Sequence, residues 1–170
     1  MKRLLVLLVL LFSLLVANPV AAAVTKTDLA AHNMYLKGWF SYNKADYATA
    51  LKVWEPLALQ GFAQAQILLG TMYAKGQGVA QDHKVAIKWY KLAAEQGYAD
   101  AQSNLGAIYD KGHEGVPRDH VRAHMWWNIA VLQGYEAARK SLDRVEEKMS
   151  SAQLETARGL AREWMQKYWK

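Results

Sequence analysis

The sequence predicts an all-α fold, a solenoid of stacked helical hairpins, from a repeat and from the periodicity inside it. The stretch LGTMYAKGQGVAQD, which begins at Leu69, returns as LGAIYDKGHEGVPRD from Leu105, at a shift of thirty-six residues. Within each copy the apolar residues recur every three or four positions, as on one face of an α-helix. A repeat of this length indicates supersecondary units that stack because a single unit cannot bury its own apolar face.

Each unit is predicted to hold two helices. In the clearest copy, Ala65, Leu69 and Tyr73 form the apolar stripe of a first helix, the A helix, and Trp89 and Tyr90 lie on a second helix, the B helix. No Gly/Ser-rich linker interrupts the chain, so residues 24–170 are predicted to form one helical repeat domain. The predicted elements are hairpins at about 28–61, 62–97 and 98–134, followed by helices at 135–149 and 151–168.

Two glycines stand inside the predicted A helices. Gly70 and Gly106 occupy matching positions in the two copies. A glycine inside a helix costs about 1 kcal/mol relative to alanine. We expect close packing of the B helix against both glycines to offset this loss.

The helix ends carry their own signals. Gly76 and Gly112 follow the A helices, where a left-handed C-terminal cap is favoured. Asp82 and Asp119 precede the B helices, where a side-chain oxygen can cap the free N–H groups. The last helix has a polar outer face, as a terminal repeat requires. Its predicted cap is Ser150 or Ser151, and its predicted apolar face is traced by Leu154, Ala157, Leu160, Trp164 and Tyr168 or Lys167.

Residues 1–23 have the character of a secretory signal peptide. Lys2 and Arg3 precede an unbroken apolar run over residues 4–16, and small residues follow at 21–23. We expect cleavage near Val24, a periplasmic or secreted protein, and no stable membrane span after cleavage. A retained membrane anchor is the alternative, although the apolar run is short for a bilayer span.

Composition excludes several classes of function. The 170 residues include no cysteine, which excludes a disulfide framework, a cysteine nucleophile and a lipid anchor on cysteine. The formal charge of +6 falls to +4 without Lys2 and Arg3, and the remaining basic residues alternate with acidic ones. This pattern is typical of a solvated surface, so we expect no nucleic-acid partner.

The two units AQILLGTMYAKGQGVAQDHKVAIKWYKLAAEQGYADAQ and AQSNLGAIYDKGHEGVPRDHVRAHMWWNIAVLQGYEAA resemble the Sel-one-like repeat family, which is related to the tetratricopeptide repeat. The resemblance covers most of residues 24–170, while residues 31–61 depart from it by a shorter loop. It implies a right-handed superhelix that acts as a scaffold or adaptor for other proteins, with few common catalytic residues, so no active site is assigned. One cysteine-rich branch is linked with β-lactam binding or hydrolysis, but its disulfide pairs are absent here.

The A helices line the concave surface in a solenoid of this type. Their positions that point away from the packing stripe are therefore the candidate protein-binding residues, and they suit an extended or helical peptide. The alternative is that Tyr35 and Trp39 only cap the open end of the core. The predicted groove runs from aromatic to basic and contains His32, Tyr35, Trp39, Tyr42, Gln64, Ile67, Thr71, Lys75, Asp100, Ser103, Ala107, Asp110, Lys140 and Arg144.

Other residues suggest chemistry that we consider less favoured. His113, His120 and His124 lie close in sequence and are potential ligands of zinc or copper. However, His83 matches His120 in the repeat, which indicates an exposed position where histidine is tolerated. We therefore expect no metal and no cofactor. No P-loop, GxSxG or GxGxxG motif occurs.

Two adjacent pairs also invite a functional interpretation. Trp126 and Trp127 suit sugar stacking, but they match the packing positions Trp89 and Tyr90, so packing is favoured. The carboxylates of residues 146–147 diverge on one helix, which favours a solvated face.

The sequence thus predicts a non-enzymatic scaffold of the bacterial envelope that binds a protein or peptide in its concave groove. The alternative is an envelope protein that binds or hydrolyses peptidoglycan or another glycan, or acts on β-lactams. That alternative needs clustered carboxylates or exposed rings, which the repeat register does not predict.

Overall fold

The computed structural model describes the backbone of residues 19–169 and the side chains of residues 29–169. Most of the predicted signal peptide therefore lies outside the described residues. The first described helix, α1, begins at Pro19 and continues without a break past Val24, the predicted start of the mature chain.

The described residues form eight α-helices and one short 3₁₀ helix, without a β-strand. The predicted all-α solenoid is confirmed. The helices are α1 Pro19–Asn43, α2 Tyr47–Leu59, α3 Ala63–Lys75, α4 His83–Glu95, α5 Ala99–Lys111, α6 His120–Leu132, the 3₁₀ helix Glu136–Ala138, α7 Arg139–Glu146 and α8 Ser151–Tyr168.

Consecutive helices pack against each other along the chain. The pairs α1/α2, α3/α4 and α5/α6 form hairpins, and each B helix also contacts the next A helix. The helix α6 is covered by α7 and α8, which close this end of the array. Two buried clusters result, one around Trp54 of the first hairpin and a larger one around Trp126 and Trp127. The predicted packing role of those two tryptophans is confirmed, since they are 5% and 2% exposed.

The glycines inside the A helices lie directly against aromatic rings of the B helices, as predicted. A Cβ atom on Gly70 would stand 2.7 Å from Cε1 of Tyr90, and one on Gly106 would stand 2.7 Å from Nε1 of Trp127. Gly38 faces Trp54 in the same way in the first hairpin. The three hairpins therefore share one contact, a glycine on the A helix beneath a ring on the B helix.

The caps follow the prediction with one difference. Asp82 accepts hydrogen bonds from two backbone N–H groups of α4, and Asp119 accepts one from α6. Gly76 adopts the left-handed conformation at φ 68 and ψ 36. Gly112 also caps its helix with a positive φ, of 65, and its N–H donates to the backbone oxygen of Ile108, but its ψ of 150 is extended instead of left-handed helical. The loop after Gly112 is one residue longer and closes on itself through the backbone bridge between residues 113 and 116, which redirects the chain.

The C-terminal helix packs through small residues. Ser150 caps it in a capping box with Gln153, as the first of the two predicted alternatives. Ala157 and Ala161 are fully buried against the core, whereas Leu160 is 36% exposed, so the predicted apolar face is wrong at Leu160. Small side chains allow close approach to α6, and Leu160 is left at the edge of that contact. Among residues 19–169 no helix combines the length and apolar character needed to cross a bilayer.

Candidate functional site

A cavity of about 520 Å³ lies between α3 and α5 and the loops that follow them. We call it the A-helix groove, because the two A helices supply most of its wall. Its lining residues are Thr71, Ala74, Lys75, Gln81, His83, Tyr90, Asn104, Ala107, Ile108, Lys111 and His113.

Neutral hydroxyl groups form one part of the groove. The hydroxyl of Thr71 donates to the backbone oxygen of Ile67 at 3.0 Å, so it can accept from the hydroxyl of Tyr90, also at 3.0 Å. Burial raises the pKa of Tyr90 to about 12. Tyr90 therefore stays protonated and neutral throughout the physiological range.

Two stacked imidazoles close the loop side of the groove. The rings of His83 and His113 lie 3.5 Å apart between centroids at an interplanar angle of 9°. Burial is the main cause that lowers the pKa of each, the positive charge of Lys111 lowers both further, and Asp82 opposes the shift at His83. Both rings are therefore mainly neutral at pH 7.

Among the described residues that line the groove, the charged side chains are two lysines. Lys75 and Lys111 end α3 and α5 at matching positions of the repeat. Neither forms an ion pair with another side chain of residues 29–169. The lining contains no aspartate or glutamate, so the groove has a net positive charge.

The structure brings only part of the predicted site together here. Thr71, Lys75 and Ala107 line the A-helix groove. Gln64, earlier on α3, donates instead to the hydroxyl of Tyr98 at 3.3 Å. Ile67 packs against the larger core cluster.

The aromatic end of the predicted groove belongs largely to the core. Tyr35 and Tyr42 share one face of α1 with Gly38, and that face packs against Trp54. The prediction that these two tyrosines point away from the packing stripe is therefore wrong, and the packing of Tyr35 fits the alternative stated above. Trp39 is 39% exposed and stacks on Tyr42. His32, which is exposed, stacks on Tyr35.

The basic end is partly neutralised by an ion-pair cluster. The side chain of Asp110 is 12% exposed and lies 3.6 Å from Arg144 and His120 and 3.7 Å from Lys148. These contacts tie α5 to the start of α6 and to the segment around α7. Asp110 and Arg144 were both predicted groove residues, but here they face each other.

The remaining predicted residues stand outside the A-helix groove. Asp100 is exposed, and its carboxylate beside Tyr135 raises the pKa of that tyrosine. Ser103 presents its backbone oxygen to Nε1 of Trp127 at 3.1 Å. Lys140 lies on the exposed side of α7.

The main polar contact that the sequence did not predict is made by a buried histidine. His124 is fully buried, and its Nε2 lies 2.7 Å from Oε1 of Glu146. The hydrogen bond from His124 is the main cause that lowers the pKa of Glu146, with a further contribution from Arg158. The predicted solvated role of Glu146 is therefore wrong. The signal was present in the repeat, since His124 matches the core residue Ile87.

The candidate metal ligands do not converge. His113 stacks on His83, His120 approaches Asp110, and His124 bonds Glu146. Among the side chains of residues 29–169, no group of three potential ligands is placed to hold a metal ion.

Replacing Glu146 with alanine is expected to lower the free energy of unfolding by about 1 to 2 kcal/mol, because the buried His124 ring loses its partner. Glu146→Gln keeps an acceptor oxygen and is expected to cost less. Urea denaturation followed by circular dichroism measures both. Glu147→Ala is the matched control, since Glu147 is exposed. An equal loss in Glu147→Ala would contradict this role of Glu146.

The contact between His124 and Glu146 also predicts that the stability of the fold depends on pH. The folded pKa of Glu146 lies below its ordinary value of 4.5, so its contribution to stability is present above that value and lost as pH falls through the folded pKa. Denaturation midpoints measured across that window are expected to fall less in Glu146→Gln than in the unmodified chain. If the midpoints of the two proteins fell in parallel, another group would control the loss of stability at low pH.

A second cleft of about 330 Å³ lies beside the C-terminal helix. The rings of Trp126 and Trp164 meet edge to face, with their centroids 5.4 Å apart. The ring of Tyr168 packs on that of Trp164, with their centroids 4.8 Å apart. The hydroxyl of Tyr168 donates to Glu95 at 2.9 Å, which ties α8 to α4. The cleft therefore presents half-buried rings with polar groups at its edge.

Comparison with known proteins places the fold in a family. The Sel1 repeat model matches residues 63–98 and 99–135. The solved Sel1 repeat protein from Oxalobacter formigenes is 34% identical, with a TM-score of 0.58, over 67% of this chain and 88% of that one. The chain belongs to the Sel1 repeat family. No curated protein matches it.

A longer Sel1-type structure matches more of the fold. The protective antigen c5321 of uropathogenic Escherichia coli, which displays an SLR fold, is 30% identical with a TM-score of 0.75. The match covers 81% of this Sel1 repeat protein but only 30% of the length of c5321. Sel1 repeats generally mediate protein–protein interactions and are generally non-enzymatic. The A-helix groove lies between the two matched repeats.

Proposed function

We propose that this Sel1 repeat protein is a non-enzymatic adaptor of the bacterial cell envelope that binds a partner protein or peptide in the A-helix groove. The observation that carries the proposal is the groove itself, a cavity between the two repeats to which both contribute side chains, among them Lys75 and Lys111. The general role of Sel1 repeats supports a protein partner. The envelope location is inferred from the signal-peptide character of residues 1–23.

Site-specific photocrosslinking tests the proposal. A benzoylphenylalanine at position 107, on the groove wall, is expected to give a discrete protein adduct in intact cells. The matched control places the same group at Ala48, an exposed alanine on α2. The crosslinked protein is identified by mass spectrometry, purified, and tested for direct binding to the unlabelled chain.

The outcomes separate the proposal from its rivals. A partner that crosslinks from position 107 but not from position 48, and that binds when purified, supports the adaptor role. Equal adducts from both positions, or only glycan material, would contradict it. An N-terminus at Val24 in the mature protein, together with release by osmotic shock, is the expected result for location.

The second cleft favours one further candidate, binding of a cell-wall glycan. Half-buried rings such as Trp164 and Tyr168 can stack on sugar rings, and the polar groups at the edge can bind hydroxyls. Muropeptides are then expected to change the tryptophan fluorescence, and Trp164→Ala is expected to abolish the change. An unchanged spectrum at saturating muropeptide would remove this candidate.

A further inference from the structure

The A-helix groove concentrates positive charge without a compensating carboxylate. Lys75 and Lys111 come from equivalent positions of neighbouring repeats and line one cavity. At the neighbouring Asp110, by contrast, a carboxylate lies within 3.7 Å of the cations of Arg144 and Lys148. The groove therefore favours a ligand that brings negative charge.

Helix capping explains only part of this arrangement. A lysine in the last turn of a helix interacts favourably with the helix dipole, and both lysines occupy such positions. Capping does not explain why both of these side chains line the same cavity, or why the acidic residues of the neighbouring loops stay outside its lining.

Neutral donors flank the two cations. Asn104 lies on the groove wall with its side-chain amide, and His83 and His113 supply ring nitrogens. Such groups bind carboxylate oxygens by hydrogen bonds while the lysines supply charge.

We propose that the A-helix groove binds an acidic peptide segment, with carboxylates held by Lys75 and Lys111. This inference rests on the proposed adaptor function and specifies the chemistry of the partner. A peptide fits better than a nucleic acid because the site offers two separate lysines and no arginine.

The histidine stack adds a pH dependence. On the groove side it faces Lys75 and Lys111, and in the outer cleft the neighbouring charged groups are Asp82, Lys84 and Glu114. A bound carboxylate stabilises a protonated imidazole, so binding is coupled to proton uptake. Affinity is expected to rise as pH falls from about 7.5 to about 5.5, where glutamate is still ionised.

Fluorescence anisotropy with two synthetic peptides tests the inference on the protein expressed from its full-length sequence. One labelled peptide alternates glutamate and alanine, and the other has glutamine in place of every glutamate. We expect the glutamate peptide to bind and the glutamine peptide to bind at least about tenfold more weakly. Added salt is expected to weaken the first complex.

Matched lysine variants locate the site. Lys75→Met and Lys111→Met are each expected to weaken binding of the glutamate peptide about tenfold. The double variant Lys52→Met/Lys88→Met changes net charge at exposed B-helix positions and is expected to alter binding by less than about twofold. Unchanged circular dichroism checks that each variant is folded.

Histidine signals give a readout that does not depend on affinity. The imidazole resonances of His83 and His113 are expected to shift on addition of the glutamate peptide, whereas those of His32, which does not line the groove, are not. The double variant His83→Gln/His113→Gln is expected to lose the increase in affinity at lower pH.

Results that contradict the acidic-peptide inference can be distinguished from results that contradict the adaptor proposal. Equal binding of the two peptides, no binding of the glutamate peptide, or an equal loss in the B-helix control would overturn the acidic-peptide inference. The adaptor proposal would survive those results if photocrosslinking at position 107 still captured a specific protein. Crosslinking failure combined with lysine-dependent glutamate binding would instead count against the proposed protein partner alone.

Discussion

Replacing Trp54 with alanine is expected to lower the free energy of unfolding by about 3 to 5 kcal/mol, the largest effect of any substitution considered. The Trp54 ring is fully buried and lies over Gly38. Its Nε1 donates to the backbone oxygen of Tyr35 at 3.1 Å. Truncation would leave a large cavity at the centre of the first hairpin and would remove this hydrogen bond between α2 and α1.

Urea denaturation measures the loss, and hydrogen exchange locates it. Repeat arrays can lose one unit before the others, so we expect protection to fall first in α1 and α2. Trp39→Ala is the matched control, because Trp39 is 39% exposed and its truncation is expected to cost clearly less than truncation of the fully buried Trp54. Similar losses in the two variants would contradict the assignment of Trp54 as the centre of this hairpin.

The repeat made packing within a hairpin predictable, because each copy tests the interpretation of the other. Gly70 and Gly106 both interrupt a helical pattern at one position, which pointed to close approach. The rings of Tyr90 and Trp127 now occupy that space. Helix caps were predictable for a similar reason, since an aspartate precedes the B helix in each copy.

Which side chains of the A helices are exposed was harder to predict than where these helices lie in the sequence. Matching Gly38 with Gly70 places Tyr35 opposite Ile67, and both are half-buried side chains packed against core clusters. The same match places Tyr42 opposite Ala74 rather than Lys75. Periodicity identifies a face, but the angular width of the buried stripe depends on the size of the neighbouring side chains.

Contacts with the C-terminal segment had no repeat to reveal them. Glu146 reaches His124, and Arg144 reaches Asp110, from a helix of eight residues without a counterpart in the hairpins. Pairing between distant polar residues leaves no periodic signal in a single sequence. A histidine at a core position did call for a buried partner, but the sequence could not specify which carboxylate would supply it.

Replacing Gly106 with alanine is expected to destabilise the protein by about 1 to 3 kcal/mol, although alanine is the better helix former. The added Cβ would lie 2.7 Å from Nε1 and 2.8 Å from two ring carbons of Trp127. That ring is 2% exposed and is held by the hydrogen bond from its Nε1 to Ser103, so it cannot move aside without losing contacts.

The same substitution at Gly159 is the matched control, because it lies inside α8 with only the end of a flexible side chain, Nη2 of Arg162, near the added Cβ at 3.9 Å. Gly159→Ala is expected to stabilise the protein by about 0.5 to 1 kcal/mol through helix propensity. Urea denaturation of the two variants should therefore give shifts of opposite sign. If Gly106→Ala also stabilised the protein, the contact between glycine and ring would not limit how closely the A and B helices pack. The contact shared by the three hairpins would then be a consequence of their packing rather than its cause.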